Sequence, residues 1–186
     1  MKNITVNVPI VYVGLLLLFG LAVCDVSLLV RAFHQRTMME TAVSGQLPAE
    51  GQVLPTLRGF AEKSGNPIEI NAGEAPHFAL LVFREGCHYC NDNWDSWDKL
   101  FGPSGVHLPV VMITADKRIS QNYKAKHPLL ANSIVLVGLN LPFLQAHKMT
   151  VTPETIIIAN GKVKHDWAGV LSRDRMDEIR RSVSRD

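Results

Sequence analysis

Gly86-Cys87-His88-Tyr89-Cys90 is the stretch that decides how this chain folds and what chemistry it carries. It follows an unbroken apolar run at residues 78–83 and precedes a segment with helical spacing of apolar residues at 91–101. Strand, short turn, Cys-x-x-Cys and helix form the layout of a dithiol redox site. The first cysteine then lies at a helix N-terminus, where free N–H groups and the helix dipole favour the thiolate. The thiolate is the form that attacks a disulfide.

The cysteine pair also has two other interpretations. A structural zinc ion takes four Cys or His ligands, of which Cys-x-x-Cys supplies two. The chain has three cysteines, and Cys24 lies in an apolar run near the N-terminus. His77 and His107 do not form a second ligand pair with zinc-like spacing. A purely structural disulfide is the other interpretation, but a bridge this short restricts the unfolded chain little. We therefore predict a redox-active dithiol and no metal site.

Length and composition indicate one ordinary domain with an appendage. The chain has 186 residues, a net charge of +2 and 19% charged residues. No basic tract is dense enough to indicate a nucleic-acid partner. The two cysteines of the globular part are too few to staple a small scaffold, so an apolar core must hold the fold together.

The N-terminus reads as a membrane anchor. Residues 8–30 are almost continuously apolar, with Asp25 as the only charged side chain. At about 1.5 Å per residue this run is long enough to cross a hydrocarbon core of about 30 Å. We predict a transmembrane anchor at residues 1–31, a linker at 32–51 and a globular domain at 52–186.

Two alternatives compete with the uncleaved anchor. A cleaved signal peptide requires a positive N-terminal region and a small-residue cleavage site, and neither is clear here. A lipoprotein signal ending at Cys24 is the second, because Leu21-Ala22-Val23-Cys24 resembles a lipobox. Arg31 and Arg36 follow the apolar run, so the charge bias alone places the globular domain in the cytoplasm.

The globular domain alternates strand and helix signals. A small β-hairpin is predicted at its start, from short β-like segments at 53–57 and 68–70. Apolar runs at 77–83 and 107–114 flank the helix at 91–101 and predict a parallel strand–helix–strand unit. The remaining predicted elements are a helix at 117–126 ending before Pro128, a strand at 133–137, a short helix at 141–147, strands at 155–159 and 162–168 joined by Asn160-Gly161, and a helix at 173–183 capped by Ser172.

Four features, in order, resemble the membrane-anchored thioredoxin-like proteins of bacteria, the TlpA/ResA-like thiol–disulfide oxidoreductases. They are the strand ending at Phe83, the Cys87-His88-Tyr89-Cys90 motif, the segment Val151-Thr152-Pro153-Glu154-Thr155, and the last hairpin with the helix that follows it. The resemblance covers about residues 50–186. It implies an α/β, thioredoxin-like three-layer fold, in which helices flank a central mixed sheet.

The resemblance also implies a mechanism and a setting. Cys87 is the attacking nucleophile and Cys90 resolves the mixed disulfide. A cis bond precedes Pro153, and the Thr152 backbone faces the dithiol and pairs with an extended substrate. The catalytic domain of this family faces the periplasm or the exterior of the bacterial cytoplasmic membrane. The expected partners are client proteins, a membrane electron donor or acceptor and the lipid around the anchor, with no cofactor beyond the Cys87–Cys90 disulfide.

The chain departs from the family pattern around the cysteines. Gly86 replaces a frequent Trp, and Asn93 stands where several members have a proton-accepting Glu. His88, when protonated, would stabilise the Cys87 thiolate, and Tyr89 would shape the rim of the site. Tyr before the second cysteine and Thr before the proline are also features of periplasmic disulfide isomerases.

These departures leave several functions open. Glu85 and Asp92 are the candidate proton acceptors for Cys90. Reduction is the leading direction, with oxidation or isomerisation as the alternative. A thioredoxin-fold module that uses the cysteines to hold a metal or a partner also stays open.

Overall fold

The computed structural model describes residue 19 and residues 23–31, 47–75 and 77–183. The chain divides into two compact units, residues 1–45 and 46–186. In the first unit residues 23–31 are helical and exposed. Most of the predicted anchor at 8–30 lies outside the described residues. Among the residues that the structure does describe, no helix combines the length and hydropathy needed to span a membrane.

The second unit is built on one mixed sheet. Within the described residues the sheet has seven strands in the order β2-β1-β5-β4-β3-β6-β7. The strands are β1 (Leu57–Ala61), β2 (Pro67–Ile70), β3 (His77–Val82), β4 (Val110–Ile113), β5 (Ile134–Val137), β6 (Glu154–Ala159) and β7 (Lys162–Ala168). Strand β4 is the middle strand, and β3 lies beside it, parallel to β4 and antiparallel to β6.

Helices cover both faces of this sheet. They are α1 (His88–Phe101), α2 (Gln121–Lys126), α3 (Pro128–Asn132), α4 (Leu141–Ala146) and α5 (Arg173–Val183), with a 3-10 turn at Ala72–Glu74. Residues of α1, α2, α3 and α5 contribute to one apolar cluster, which contains Trp94, Trp97 and Ile179. A second cluster on the other face contains Leu144 of α4 together with Met149. The sheet is therefore the middle of three layers, as predicted.

Strand β3 is buried on both faces because every residue after His77 is apolar. Phe78, Leu80 and Val82 belong to one cluster, and Ala79 and Leu81 belong to the other. Alternating side chains point to opposite faces of a strand, so an unbroken apolar run suits a central position between two helical layers. This burial fixes the end of β3, and with it the start of the Cys-x-x-Cys turn.

The last hairpin forms where the sequence predicted it. Asn160 and Gly161 have φ values of 50° and 74°, the left-handed pair that a type I′ turn requires. Strands β6 and β7 pair antiparallel on either side, with a bulge near Ile157 and Ile158. Ser172 Oγ accepts the amide of Arg175 at 3.3 Å and caps the last helix, as predicted.

The N-terminal hairpin exists, but its first arm was misplaced. The arm is β1, whereas residues 53–57 were predicted. Val53 forms an isolated bridge with Lys162, and the Leu54 amide donates to the Gly161 carbonyl, so this segment runs along the edge of β7 instead. The hairpin also continues the sheet, because β1 pairs antiparallel with β5.

Two other boundaries differ from the prediction. The helix expected at 117–126 begins only at Gln121, where Ser120 Oγ accepts the Tyr123 amide and caps it. Pro128 was interpreted as a stop, but it is the first residue of α3. Proline suits that position because its missing N–H has no helical partner there. The predicted strand at 107–114 is limited to β4.

Candidate functional site

The dithiol lies at the junction between β3 and α1. Gly86 has a φ of 83°, a backbone conformation that L side chains rarely adopt. The glycine therefore lets the chain turn sharply enough to present Cys87 as the N-cap of α1. Cys87 Sγ accepts the Cys90 amide at 3.2 Å, so the sulfur occupies the place that a Ser or Asp oxygen takes at other helices.

The two sulfurs have opposite environments. Both cysteines are free thiols, Cys87 partly exposed and Cys90 fully buried. Partial burial opposes ionisation of Cys87, but hydrogen bonds from the Cys90 thiol, from Thr152 and from the first amides of α1 outweigh it and lower the pKa of Cys87. Burial, reinforced by the neighbouring Cys87 sulfur, raises the pKa of Cys90 to about 12. The Cys87 thiol therefore ionises at a lower pH than the Cys90 thiol, so Cys87 is the first of the two to become a thiolate.

The loop before β6 completes the site from a distant part of the chain. Antiparallel pairing of β3 and β6 sets Val82 opposite Glu154 and so brings Thr152 beside the turn. The Cys87 thiol faces the Thr152 carbonyl oxygen at 3.6 Å, and the Thr152 hydroxyl lies 3.7 Å from Cys87 Sγ. The Thr152–Pro153 bond is cis, as the resemblance implied. The predicted meeting of the dithiol and the proline loop is therefore confirmed.

An aromatic cluster supports the dithiol from behind. The Trp94 indole donates to the Tyr123 hydroxyl at 2.9 Å, and the Phe83 and Tyr123 rings stack. Burial, partly offset by the Trp94 bond, raises the pKa of Tyr123 to about 12. His127 stacks on Trp94 with ring centroids 4.3 Å apart, and burial lowers its pKa. Rigid, close-packed rings hold the first turns of α1 in one position.

The two residues between the cysteines point outwards. The His88 imidazole is 82% exposed and lies 3.4 Å from the Asp92 carboxylate, one helical turn later. His88 is not among the groups that lower the pKa of Cys87. Tyr89 is 64% exposed and forms part of the surface around the dithiol. The structure thus pairs Asp92, a candidate proton acceptor, with His88.

Glu85, the other candidate acceptor, fastens the active-site turn to the next loop. Its carboxylate accepts the Ser120 amide at 2.8 Å, and its own amide donates to Asp116 Oδ2 at 2.9 Å. The hydrogen bond from Ser120 lowers the pKa of Glu85. These two hydrogen bonds connect the turn before Cys87 to the loop after β4.

Asn93 occupies the position where several of the TlpA/ResA-like proteins that the sequence resembles have a proton-accepting Glu. Its side chain is fully buried, and its oxygen accepts the Leu171 amide at 2.7 Å. The residue therefore joins α1 to the loop before α5. An amide cannot take a proton from Cys90, so the position cannot serve as an acceptor here.

A buried pair of carboxyls was not assigned from the sequence. Glu154 directly follows Pro153 and is fully buried, and it faces Asp166 of β7. No other described group donates a hydrogen bond to the four oxygens. The signal was present, because Glu154 shares the inward-facing register of Ile156 and Ile158. Period-two alternation along β6 would have placed it in the core.

The described residues around the dithiol do not supply the group of ligands that a metal ion requires. Among the residues that the structure describes, no group of three or more His, Cys, Asp or Glu side chains is arranged to hold a metal ion. Neither His77 nor His107, the two histidines considered for zinc, lies in such a group.

Comparisons with known proteins identify the fold. No protein-family model and no curated protein matches the sequence. Among solved structures, the chain is similar to a protein described as a thiol:disulfide interchange protein DsbE from Chlorobium tepidum, with a TM-score of 0.57, 15% identity and coverage of 74% of this chain and 97% of that one.

Two further structures are similar. The thioredoxin domain of a thiol-disulfide oxidoreductase from Bacteroides vulgatus has a TM-score of 0.51 and 18% identity, and covers 73% of this chain and 98% of that one. A thio-disulfide isomerase from Thermus thermophilus has a TM-score of 0.51 and 19% identity, with coverage of 70% and 94%. At these identities the matches show the fold alone, so the chain has a thioredoxin-like α/β fold, as predicted.

Proposed function

We propose that the chain catalyses thiol–disulfide exchange on protein clients through Cys87 and Cys90. The asymmetry of the two thiols carries the proposal. Cys87 is accessible and has a lowered pKa, whereas Cys90 is buried with a pKa of about 12. Such a pair supplies one nucleophile and one protected resolving thiol. The descriptions of the similar structures, an interchange protein, an oxidoreductase and an isomerase, support the same class of reaction.

The first step is attack by the Cys87 thiolate on one sulfur of a client disulfide. A bond forms between Cys87 Sγ and that sulfur while the client S–S bond breaks, and the electron pair leaves with the second client sulfur, which takes a proton. The Thr152 carbonyl, next to Cys87 Sγ, can accept an amide of the incoming segment. This interaction would hold the client as an extended strand.

The second step releases the client. Once Cys87 is in the mixed disulfide it has no negative charge, so one of the causes that raise the pKa of Cys90 disappears. Cys90 loses its proton and attacks Cys87 Sγ, and the client leaves as a thiolate that is then protonated. The client gains two electrons and two protons, and the protein keeps a Cys87–Cys90 disulfide, which a dithiol of a membrane electron donor must reduce.

The direction of exchange is the finer part of the proposal. We propose reduction of client disulfides, in line with the resemblance to the TlpA/ResA-like group, with a maturation role toward exported proteins. Equilibration of the Cys87–Cys90 pair with glutathione tests this direction. A potential of about −270 mV, the thioredoxin value, supports a reductase. A value of about −120 mV, that of a strong oxidant, would instead indicate an oxidase or isomerase.

The setting is also proposed. Residues 8–30 would tether the protein to the bacterial cytoplasmic membrane, with the thioredoxin-like unit on the exterior side. The apolar run and the family resemblance support this arrangement, whereas Arg31 and Arg36 favour the opposite one. A reporter enzyme that is active only outside the cytoplasm, fused after residue 50, tests it. An inactive fusion beside an active cytoplasmic reporter would reverse the proposed orientation.

The exchange activity itself has a direct test in the full-length chain. Cys87→Ala should abolish reduction of a model disulfide, and Cys90→Ser should accumulate a mixed disulfide with the client. Cys24→Ser is the matched control, because it removes a thiol of the N-terminal unit and should leave turnover unchanged. Undiminished turnover in Cys87→Ala would reject the proposal. Stoichiometric zinc in protein purified under reducing conditions would identify the cysteines as ligands of a binding module instead.

A further inference from the structure

A groove of about 480 Å³ opens directly beside the dithiol. Thr152 forms one end of it, and the same residue touches Cys87 Sγ through its carbonyl and hydroxyl oxygens. From there the groove crosses the carboxyl ends of β3, β4 and β5 and reaches α4. A polypeptide held at Thr152 with its sulfur near Cys87 therefore has this groove next to it.

The floor of the groove is apolar. Phe83, Leu139, Leu144 and Met149 line it and are buried. Leu141 lines it as well and is 52% exposed, which is unusual for a leucine that could have packed inwards. An apolar side chain entering here would remove both its own surface and that of Leu141 from water.

The rim of the groove carries unpaired positive charge. Arg84 and Lys117 both line it and are exposed, and neither forms an ion pair with another described residue. Asp116 is the one acid in the lining, and its Oδ2 already accepts the Glu85 amide at 2.9 Å and the Thr114 hydroxyl at 3.2 Å. The lining of the groove therefore contains two exposed cations and one carboxylate, and it keeps a net positive charge.

We propose that the client segment attacked by Cys87 carries an apolar side chain that enters this groove and an acidic side chain that pairs with Arg84 and Lys117. The inference rests on the proposed exchange function and names the class of substrate. Burial of an apolar side chain on the floor favours binding but does not fix the orientation of the client segment. The positively charged rim can favour acidic clients over basic ones and orient them. The partner is therefore an extended, acidic and apolar polypeptide segment next to a cysteine.

Reduction kinetics on short peptides test the substrate class. Each peptide contains one cysteine in a disulfide with a small thiol. Leu or Ser stands beside the cysteine and is combined with Glu or Lys. Every combination is made twice, with these residues before the cysteine and with these residues after it. For the pre-reduced full-length wild-type protein in a single turnover, we expect the second-order rate constant for the Leu-Glu peptide to exceed that for the Leu-Lys peptide by about tenfold at low salt. This is the size expected for two exposed ion pairs that change from attraction to repulsion. This preference should shrink as salt is added.

Charge reversal gives the decisive comparison. Arg84→Glu combined with Lys117→Glu should invert the preference, so that the Lys peptide becomes the better substrate. Leu141→Ser should reduce the advantage of Leu over Ser peptides and leave the charge preference intact. Lys99→Glu with Lys162→Glu is the matched control, because it makes the same change in net charge at the end of α1 and the start of β7.

A small neutral disulfide, 2-hydroxyethyl disulfide, separates the two possible failures. Its reduction uses Cys87 and Cys90, but the molecule is too small to fill the groove. The peptide rates of each variant are therefore divided by its rate with this disulfide, which removes any effect of the substitution on the dithiol itself. If the wild-type protein fails to reduce it, the exchange function itself is rejected. If the wild-type protein reduces it but treats Glu and Lys peptides alike, or keeps its preference after charge reversal, the groove proposal is rejected while the exchange function stands.

Discussion

Two neighbouring residues of β6 show how differently the two faces of the sheet treat a buried polar group. Thr155 points towards α1, and its hydroxyl oxygen accepts the Trp97 indole N–H at 2.8 Å. Glu154 points to the opposite face and meets only Asp166, with no other described donor at either carboxyl. Strand β6 lies between the two helical layers and begins directly after Pro153. At this strand the buried hydroxyl on the dithiol face accepts a hydrogen bond, whereas the two carboxyls on the other face have only each other.

The unpartnered pair keeps its protons to an unusually high pH. Burial, with a smaller contribution from the neighbouring Asp166 charge, raises the pKa of Glu154 to about 10. Burial raises the pKa of Asp166 to about 7. A carboxyl that is buried without a donor avoids ionisation, because the charged form would lose its hydration. The free energy of unfolding should therefore depend on pH through these two carboxyls, which lie on one face of the sheet.

The largest expected effect comes from breaking the partnered side. Trp97→Ala removes a fully buried indole and should lower the free energy of unfolding by about 3–5 kcal/mol, as such core truncations do. Urea denaturation at pH 7 measures the loss. Trp97→Phe is the control that keeps most of the ring volume but deletes the bond to Thr155, and it should lose less. Equal losses in both variants would mean that the hydrogen bond, and not the packing, dominates this face.

The second prediction concerns the unpartnered side and its pH dependence. Because the folded-state pKa values of Glu154 and Asp166 are raised, the unfolded chain releases their protons first, near pH 4. Their stabilising contribution is complete below that pH and is lost as pH rises towards about 7 for Asp166 and about 10 for Glu154. Stability should therefore fall as pH rises across this window.

Unfolding free energies between pH 5 and 9 check this behaviour. Glu154→Gln with Asp166→Asn should flatten the profile and raise stability above that of the wild type at alkaline pH. Glu62→Gln is a suitable control, since Glu62 forms an ion pair with Lys124 away from this strand pair. A wild-type profile that is already flat across this range would show that the two carboxyls are solvated, and the contrast between the faces would disappear.

The smallest expected effect tests a single weak bond on the dithiol side. Thr152→Val keeps the shape of the side chain but removes the hydroxyl that donates to Cys87 Sγ at 3.7 Å. The pKa of Cys87 should rise, so the thiolate absorbance near 240 nm should appear at higher pH than in the wild type. Thr150→Val is the matched comparison, because Thr150 lies in the same loop but forms no hydrogen bond to the sulfur within the described part of the chain. An unchanged titration would leave the start of α1 as the cause of the lowered pKa.

The sequence predicted the features of the site that depend on local pattern. An apolar run followed by Cys-x-x-Cys and helical spacing fixes a strand, a turn and a helix regardless of the rest of the chain. Asn160-Gly161 likewise specifies a type I′ turn because few other residues accept two positive φ values. Pro153 was placed next to the dithiol by resemblance, since nothing local in a Thr-Pro pair indicates contact with a residue 65 positions earlier.

What the sequence did not predict depends on tertiary context. Val53 has the alternation of a strand but lies along β7, because Leu57–Ala61 takes the place beside β5. Pro128 can end one helix or begin another, and only the packing of Leu129 and Leu130 decides for the second. Glu154 was not assigned to the core because most carboxylates are exposed, although its alternation with Ile156 and Ile158 indicated burial. The pairing of whole strands, which sets Glu154 beside Val82, places it there.

The capping role of Cys87 makes the first turn of α1 a reporter of oxidation state. The amide of Cys90 is held by the Cys87 sulfur at 3.2 Å. When that sulfur is bonded to another sulfur it becomes a poorer acceptor, and the amide hydrogen is released to solvent more often. Hydrogen–deuterium exchange of the Cys90 amide should therefore accelerate on oxidation and slow again on reduction. The exchange rate then reports the oxidation state of the dithiol without a client protein.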